Sequence, residues 1–215
     1  LTQDDSRPLA GKRVCIDPGH PSEVGEGTRG RKLTEVGIAW VIAQRVRDLL
    51  LARGAAVVLT KKSERQYVRN KERARIANAF RADLMLRLHC DADAGTGIAT
   101  FFPDRQGTSA DGRRGPSREV LAECAAVAPR FHRALIAGLG GALKDKGCKS
   151  DIYTAVGGKQ GALTGSIYSE VPVVLVEMCV LTNPRDEAFL LSPKSRETLS
   201  LALAAAAEAA LTAGE

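Results

Sequence analysis

The chain of 215 residues carries a formal net charge of +6, and its residues are 44% hydrophobic but only 4% aromatic. A length of this order suits one domain with a sizeable core, built here mainly from Ala, Leu, Val and Ile. The composition excludes a membrane-spanning apolar run and an obvious aromatic platform for single-stranded nucleic acid, while the basic balance suits a solvated surface or an anionic partner.

Residues 1–11 are polar, contain a proline, and read as a flexible lead-in to a domain over 12–215. The chain opens on Leu1, so its coding sequence is expected to start further upstream. Lys12 to Asp17 predicts a first strand, which breaks on Pro18-Gly19 and delivers His20. A Gly-rich, charged loop follows from Pro21 to Lys32. Ile38, Val41, Ile42, Val46, Leu49 and Leu50 recur at three- and four-residue steps and predict a helix, capped by Thr34 and ended by Gly54. Ala55 to Thr60 predicts a second strand. Val68 to Phe80 predicts a helix with Arg and Lys outward and Ala74, Ile76, Ala77 and Phe80 inward. Asp83 to His89 and Ile98 to Phe102 predict further strands. Pro103 to Pro116 reads as an exposed loop, and Ser117 to Leu143 as a helix that Pro129 can break. Ile152 to Val156 predicts a strand and Gln160 to Ser166 a turn. Val173 to Glu177 is a continuous apolar run ending in a carboxylate, the mark of a central strand. Pro184 to Leu191 and Lys194 to Leu211 close the chain as helices.

This alternation predicts an α/β fold: a single domain with a mostly parallel, twisted sheet of about six strands and helices on both faces. In such sheets, sites form at the carboxyl ends of the strands. His20, His89 and Glu177 all stand at predicted strand ends, and Glu35 opens the first helix. Two imidazoles and a carboxylate suit a catalytic zinc with a position left for water, and a second carboxylate can take that water's proton. Each residue also has a plain structural use. A histidine can serve a strand end, Glu35 can offset a helix dipole, and Glu177 can pair with an arginine. Those uses leave unexplained why two of only three histidines meet a glutamate at one sheet edge. His132 lies mid-helix between Arg130 and Arg133 and reads as a surface residue. The five cysteines lack a CxxC, so neither a disulfide framework nor a zinc finger is indicated. Cys15, Cys90 and Cys179 read as small buried hydrophobes, and Cys124 and Cys148 are the pair that an oxidising compartment could bridge.

"IDPGH" at 16–20, "TE" at 34–35, "RLHCDAD" at 87–93 and "VPVVLVEMCVLTNPRDE" at 171–187 resemble the zinc-dependent N-acetylmuramoyl-L-alanine amidases of the amidase-3 family. "VRNKERARIAN" at 68–78 is similar to that family's arginine-rich helix, and the motifs run in the family's order along nearly the whole chain. The resemblance implies one Zn2+ ion held by His20, Glu35 and His89, with Glu177 as the catalytic glutamate. It implies cleavage of the amide between N-acetylmuramic acid and the L-alanine of the peptidoglycan stem peptide. Peptidoglycan or muropeptides are then the partners, with no nucleic acid and no membrane span. An autolysin-like monomer in the cell envelope, periplasmic or secreted, is expected, its signal peptide absent from this chain.

Two departures stand out. Pro21 follows the first histidine, where the family usually has glycines, and Arg87 stands where a small polar residue is common. Alternation along a strand puts Arg87 on the face of His89. It can pair with Asp17 or Glu177, or hold a substrate carboxylate. No autoinhibitory helical insertion is evident, although Ser117 to Leu143 could be a partial version. These departures and the basic charge also fit a non-catalytic peptidoglycan-binding module of the same fold. A zinc peptidase of another type fits less well, because no HExxH is present.

Overall fold

A computed structural model describes residues 7–212. The first six residues of the expected lead-in lie outside the described residues; residues 7–11 form a turn that buries Leu9 in the core. The central sheet has six strands: β1 (Arg13–Pro18), β2 (Ala56–Leu59), β3 (Leu84–Asp91), β4 (Ile98–Phe102), β7 (Asp145–Ser150) and β8 (Val173–Val180). Their order is β2-β1-β3-β8-β4-β7. The first four of that order run parallel, β4 is antiparallel to β8, and β7 is parallel to β4. A two-stranded ribbon, β5 (Gly107–Thr108) with β6 (Arg114–Gly115), stands apart.

Seven helices cover the sheet: α1 (Glu35–Ala52), α2 (Asn70–Phe80), α3 (Arg118–Leu139), α4 (Gly157–Gln160), α5 (Thr164–Ile167), α6 (Pro184–Leu191) and α7 (Pro193–Thr212), among the described residues. Alternation divides the strands between two faces. Ile16, Leu86, Leu88, Val174 and Val176 pack with α1, α7 and the later half of α3 in one large core. Cys15, Met85 and Val173 pack on the other face with Ala77 of α2 and Val120 and Cys124 of α3. No helix among the described residues is long and apolar enough to cross a membrane.

Several expectations need correction. The strand expected at 152–156 is instead a 3-10 turn (Asp151–Tyr153), and the true edge strand precedes it as β7. The loop over 103–116 contains the β5–β6 ribbon. Pro129 sits inside α3 without ending it, because Phe131, Leu135 and Leu139 beyond it are buried in the main core. His132 is buried, not on the surface: its Nδ1 is 3.0 Å from Thr100 Oγ1 and its Nε2 is 3.0 Å from Asp145 Oδ1. It thereby joins α3 to β4 and to the polar strand β7. Cys124 and Cys148 are both free and pack against different apolar clusters.

Candidate metal centre

Glu35, at the start of α1, is 2% exposed and is the hub of the site. Its Oε2 accepts from the Thr28 amide at 2.6 Å, and its Oε1 accepts from the Cys90 amide at 3.1 Å. The same Oε1 is 2.9 Å from His89 Nδ1 and 3.5 Å from His20 Nε2. One ligating atom from each of His20, Glu35 and His89 lies within 4.8 Å of the others. The two imidazole rings meet edge to face with centroids 5.2 Å apart.

Local backbone explains how the rings reach this spot. His20 adopts φ 49°, in the left-handed region, which turns the chain sharply off β1. Its Nδ1 is 2.9 Å from the Gly25 carbonyl, which can only accept, so that nitrogen carries the proton. The other ring nitrogen, Nε2, faces Glu35. Gly19 is required by close approach: a Cβ there would come within 2.5 Å of the His89 ring. Gly27, at φ +78°, leaves room in the same way for Glu35 and His20. The loop before Glu35 is tied from a distance. Glu187 at the start of α6 accepts from the Lys32 amide at 2.6 Å and the Leu33 amide at 2.9 Å.

Glu177 stands opposite His89 in the β3–β8 register. Burial raises its pKa well above the ordinary value, and the charges of Glu35 and Asp91 add to the rise. Burial also works against the charge of Glu35, but hydrogen bonding and charge from His89, then His20, hold that carboxyl down at about 2. The His89 imidazole is pushed below its ordinary value, chiefly by burial, although Glu35 pulls the other way. The set is thus an ionised carboxylate and two histidines, one with its ring favoured neutral, which is what metal ligation needs. Two buried polar atoms have no partner here, His89 Nε2 and Glu177 Oε2. Unpaired atoms of this kind beside a nitrogen and oxygen donor set fit the binding of a cation and a water.

All four residues line one cleft of about 460 Å³. Its walls are the Val24 to Thr28 loop on one side and Phe101 with Tyr153 to Ala155 on the other. Tyr153 is 73% exposed at the rim. Sequence reasoning missed that wall, because the segment reads as a strand and its one aromatic carries no chemistry of its own. Arg87 shares the face of His89 but does not reach the cleft. It is buried, donating from Nε to Asp17 at 2.8 Å and from Nη2 to Asn70 at 2.7 Å. Gly165 of α5 covers its guanidinium. The structure therefore places Arg87 in an ion-pair network, not where it could hold a substrate carboxylate.

The family model described as N-acetylmuramoyl-L-alanine amidase matches residues 14–209. The chain is 29% identical to N-acetylmuramoyl-L-alanine amidase CwlM of Mycobacterium tuberculosis, over 96% of this chain and 47% of that protein. It is 30% identical to N-acetylmuramoyl-L-alanine amidase LytC of Bacillus subtilis, over 85% of this chain and 32% of that protein. The chain thus spans half or less of these relatives. Among solved structures, N-acetylmuramyl-L-alanine amidase Ami1 from Mycobacterium abscessus superposes with a TM-score of 0.74 at 22% identity, covering 92% of this chain and 97% of that one. AmiC2 of Nostoc punctiforme gives 0.72 at 20% identity, over 93% and 96%.

Proposed function

This chain belongs to the N-acetylmuramoyl-L-alanine amidase family, and we propose that it is a zinc-dependent hydrolase of the amide joining N-acetylmuramic acid to the L-alanine of the peptidoglycan stem peptide. The observation that carries the proposal is the meeting of His20, Glu35 and His89, with Glu177 in register beside them.

His20, Glu35 and His89 would hold the zinc. When bound, the ion would acidify a water and polarise the amide carbonyl. The residues supply the remainder. Glu35 adds negative charge to the donor set, and its two backbone bonds fix both of its oxygens. Glu177 takes a proton from the attacking water and gives it to the departing amine nitrogen of L-alanine. Its raised pKa suits a carboxyl that must hold a proton between those two steps. One chain contains both the donor set and the base, so a monomer suffices. The substrate places the enzyme's work in the cell envelope, in the periplasm or after secretion, acting on the polymer or on muropeptides.

The test is incubation of purified sacculi with the zinc-loaded protein, followed by mass spectrometry of the soluble products. Intact stem peptides with a free L-alanine amine are expected. Shortened peptides would indicate a peptidase instead, and bound but uncut sacculi would indicate a binding module.

A further inference from the structure

The turn that carries His20 uses its carbonyl groups in an ordered way. Pro18, Gly19, His20 and Pro21 present four successive carbonyl oxygens, and each accepts from a buried cation. Arg73 takes the outer two, with Nη1 at 2.7 Å from the Pro18 oxygen and Nη2 at 2.9 Å from that of Pro21. Its remaining bonds go to Asp17 and to the Val68 carbonyl, so this arginine has a counter-charge. Lys61 takes the inner two. Its Nζ donates to the His20 carbonyl, to that of Gly19 at 3.4 Å, and to that of Glu64 at 2.8 Å.

Lys61 is 1% exposed, and the hydrogen bonds of its ammonium go to backbone carbonyls. An ammonium has three donors and no acceptor, so three carbonyls match it. Burying a cation is costly, and a residue serving only to fill volume would be apolar. The ammonium also lies 5.8 Å from the centre of the Trp40 ring on α1, the helix that begins with Glu35. One side chain therefore touches the elements that supply two of the ligands. His20 itself sits in a left-handed conformation that is unfavourable for a residue with a Cβ, so the turn needs an external hold.

We propose that Lys61 is a positioning residue for the metal ligand His20, and that its ammonium, not its bulk, fixes the imbedded turn from which the imidazole reaches the ion. This rests on the zinc reading above. Lys61 follows β2 by two positions, as His20 follows β1.

The experiment compares wild type with Lys61→Met, Lys61→Gln and Lys61→Arg. Zinc affinity is measured by competition with a chromophoric chelator, and fold by circular dichroism of the metal-free proteins. Folded Lys61→Met should bind zinc about 10–100-fold more weakly, the range for groups that orient metal ligands. Lys61→Arg, which keeps charge and donors, should recover most of the loss. Wild-type affinity in folded Lys61→Met overturns the proposal. If that variant fails to fold, Lys61→Gln decides: a folded protein with weakened zinc binding supports the proposal, and unchanged binding overturns it. Unfolding of all three variants assigns Lys61 to global stability and also overturns it. Wild-type protein that binds no zinc sinks the underlying reading instead, so the two failures are distinguishable.

Discussion

The two faces of the central sheet follow different rules. On one, Ile16, Leu86, Leu88, Val174 and Val176 are aliphatic from one end of the strands to the other. On the other, Cys15, Met85 and Val173 give way toward the carboxyl edge to Asp17, Arg87, His89 and Glu177. The first face gains free energy by removing apolar surface from water. The second must bury charge, and does so by pairing it: Asp17 is fully buried and engages Arg73, Arg87 and Thr60 at once. The difference teaches that this chain folds on one face and positions its chemistry on the other. Substitutions should sort accordingly.

The largest effect is expected at Glu177. Glu177→Gln keeps size and hydrogen bonding but cannot cycle a proton, so kcat/KM on muropeptides should fall by about 10²–10⁴. Bound zinc, read by elemental analysis, and melting temperature should hold. Near-full activity would remove the proposed base. Next comes Asp17. Its carboxyl is held far below the ordinary value: burial opposes this, but the charges of Arg73 and then Arg87 prevail. Asp17→Asn leaves two buried cations without their counter-charge and should cost about 3–5 kcal/mol in urea unfolding at pH 7. The sign with pH follows from linkage. The folded pKa lies below the unfolded one, so the contribution is complete above about pH 4 and drains as pH falls further. Wild type should therefore lose stability on acidification more steeply than Asp17→Asn. Equal slopes would mean that Asp17 is not the buried anion described.

Much of this division was legible in the residues. The apolar face announced itself through aliphatic runs, and the site through histidine and glutamate at strand ends, where parallel strands must gather them. What escaped was structure without a hydrophobic signal. Strand β7 reads Asp-Lys-Gly-Cys-Lys-Ser, an edge whose two lysines and aspartate suit its edge position but hide its register. Arg73 falls among the cations that helical periodicity puts outward on α2, yet it is 1% exposed and pairs with Asp17, which is distant in sequence. His132 escaped for the same reason, its partners Thr100 and Asp145 lying on two different strands. Charge pairing across long separations leaves no periodicity to read.

On the apolar face, Leu86→Ala sharpens the comparison from the other side. Leu86 is fully buried next in sequence to Arg87 but points away from it. The lost side chain and the remaining cavity should cost about 2–5 kcal/mol. Zinc affinity in the folded population, measured by chelator competition, should stay at the wild-type value. A tenfold loss would mean that packing on this face tunes the site through the strand.

The smallest expected effect comes where the two faces share an element. Helix α1 packs on the apolar face, yet its first residue is the proposed ligand Glu35. Thr34 caps that helix by accepting from the Gly37 amide at 3.2 Å. Thr34→Ala should cost about 1 kcal/mol of stability, the usual loss for a missing cap. Its effect on zinc should be smaller still, because the Thr28 and Cys90 amides hold the Glu35 carboxylate independently of the cap. Thermal melting and chelator competition on the same protein separate the two quantities. Weakening of zinc binding to the tenfold level of a group that orients a ligand would place control of Glu35 in the helix start instead of in those amides. The two faces would then be coupled through α1, and a helix formed to bury aliphatic side chains would also be setting the geometry of the metal centre.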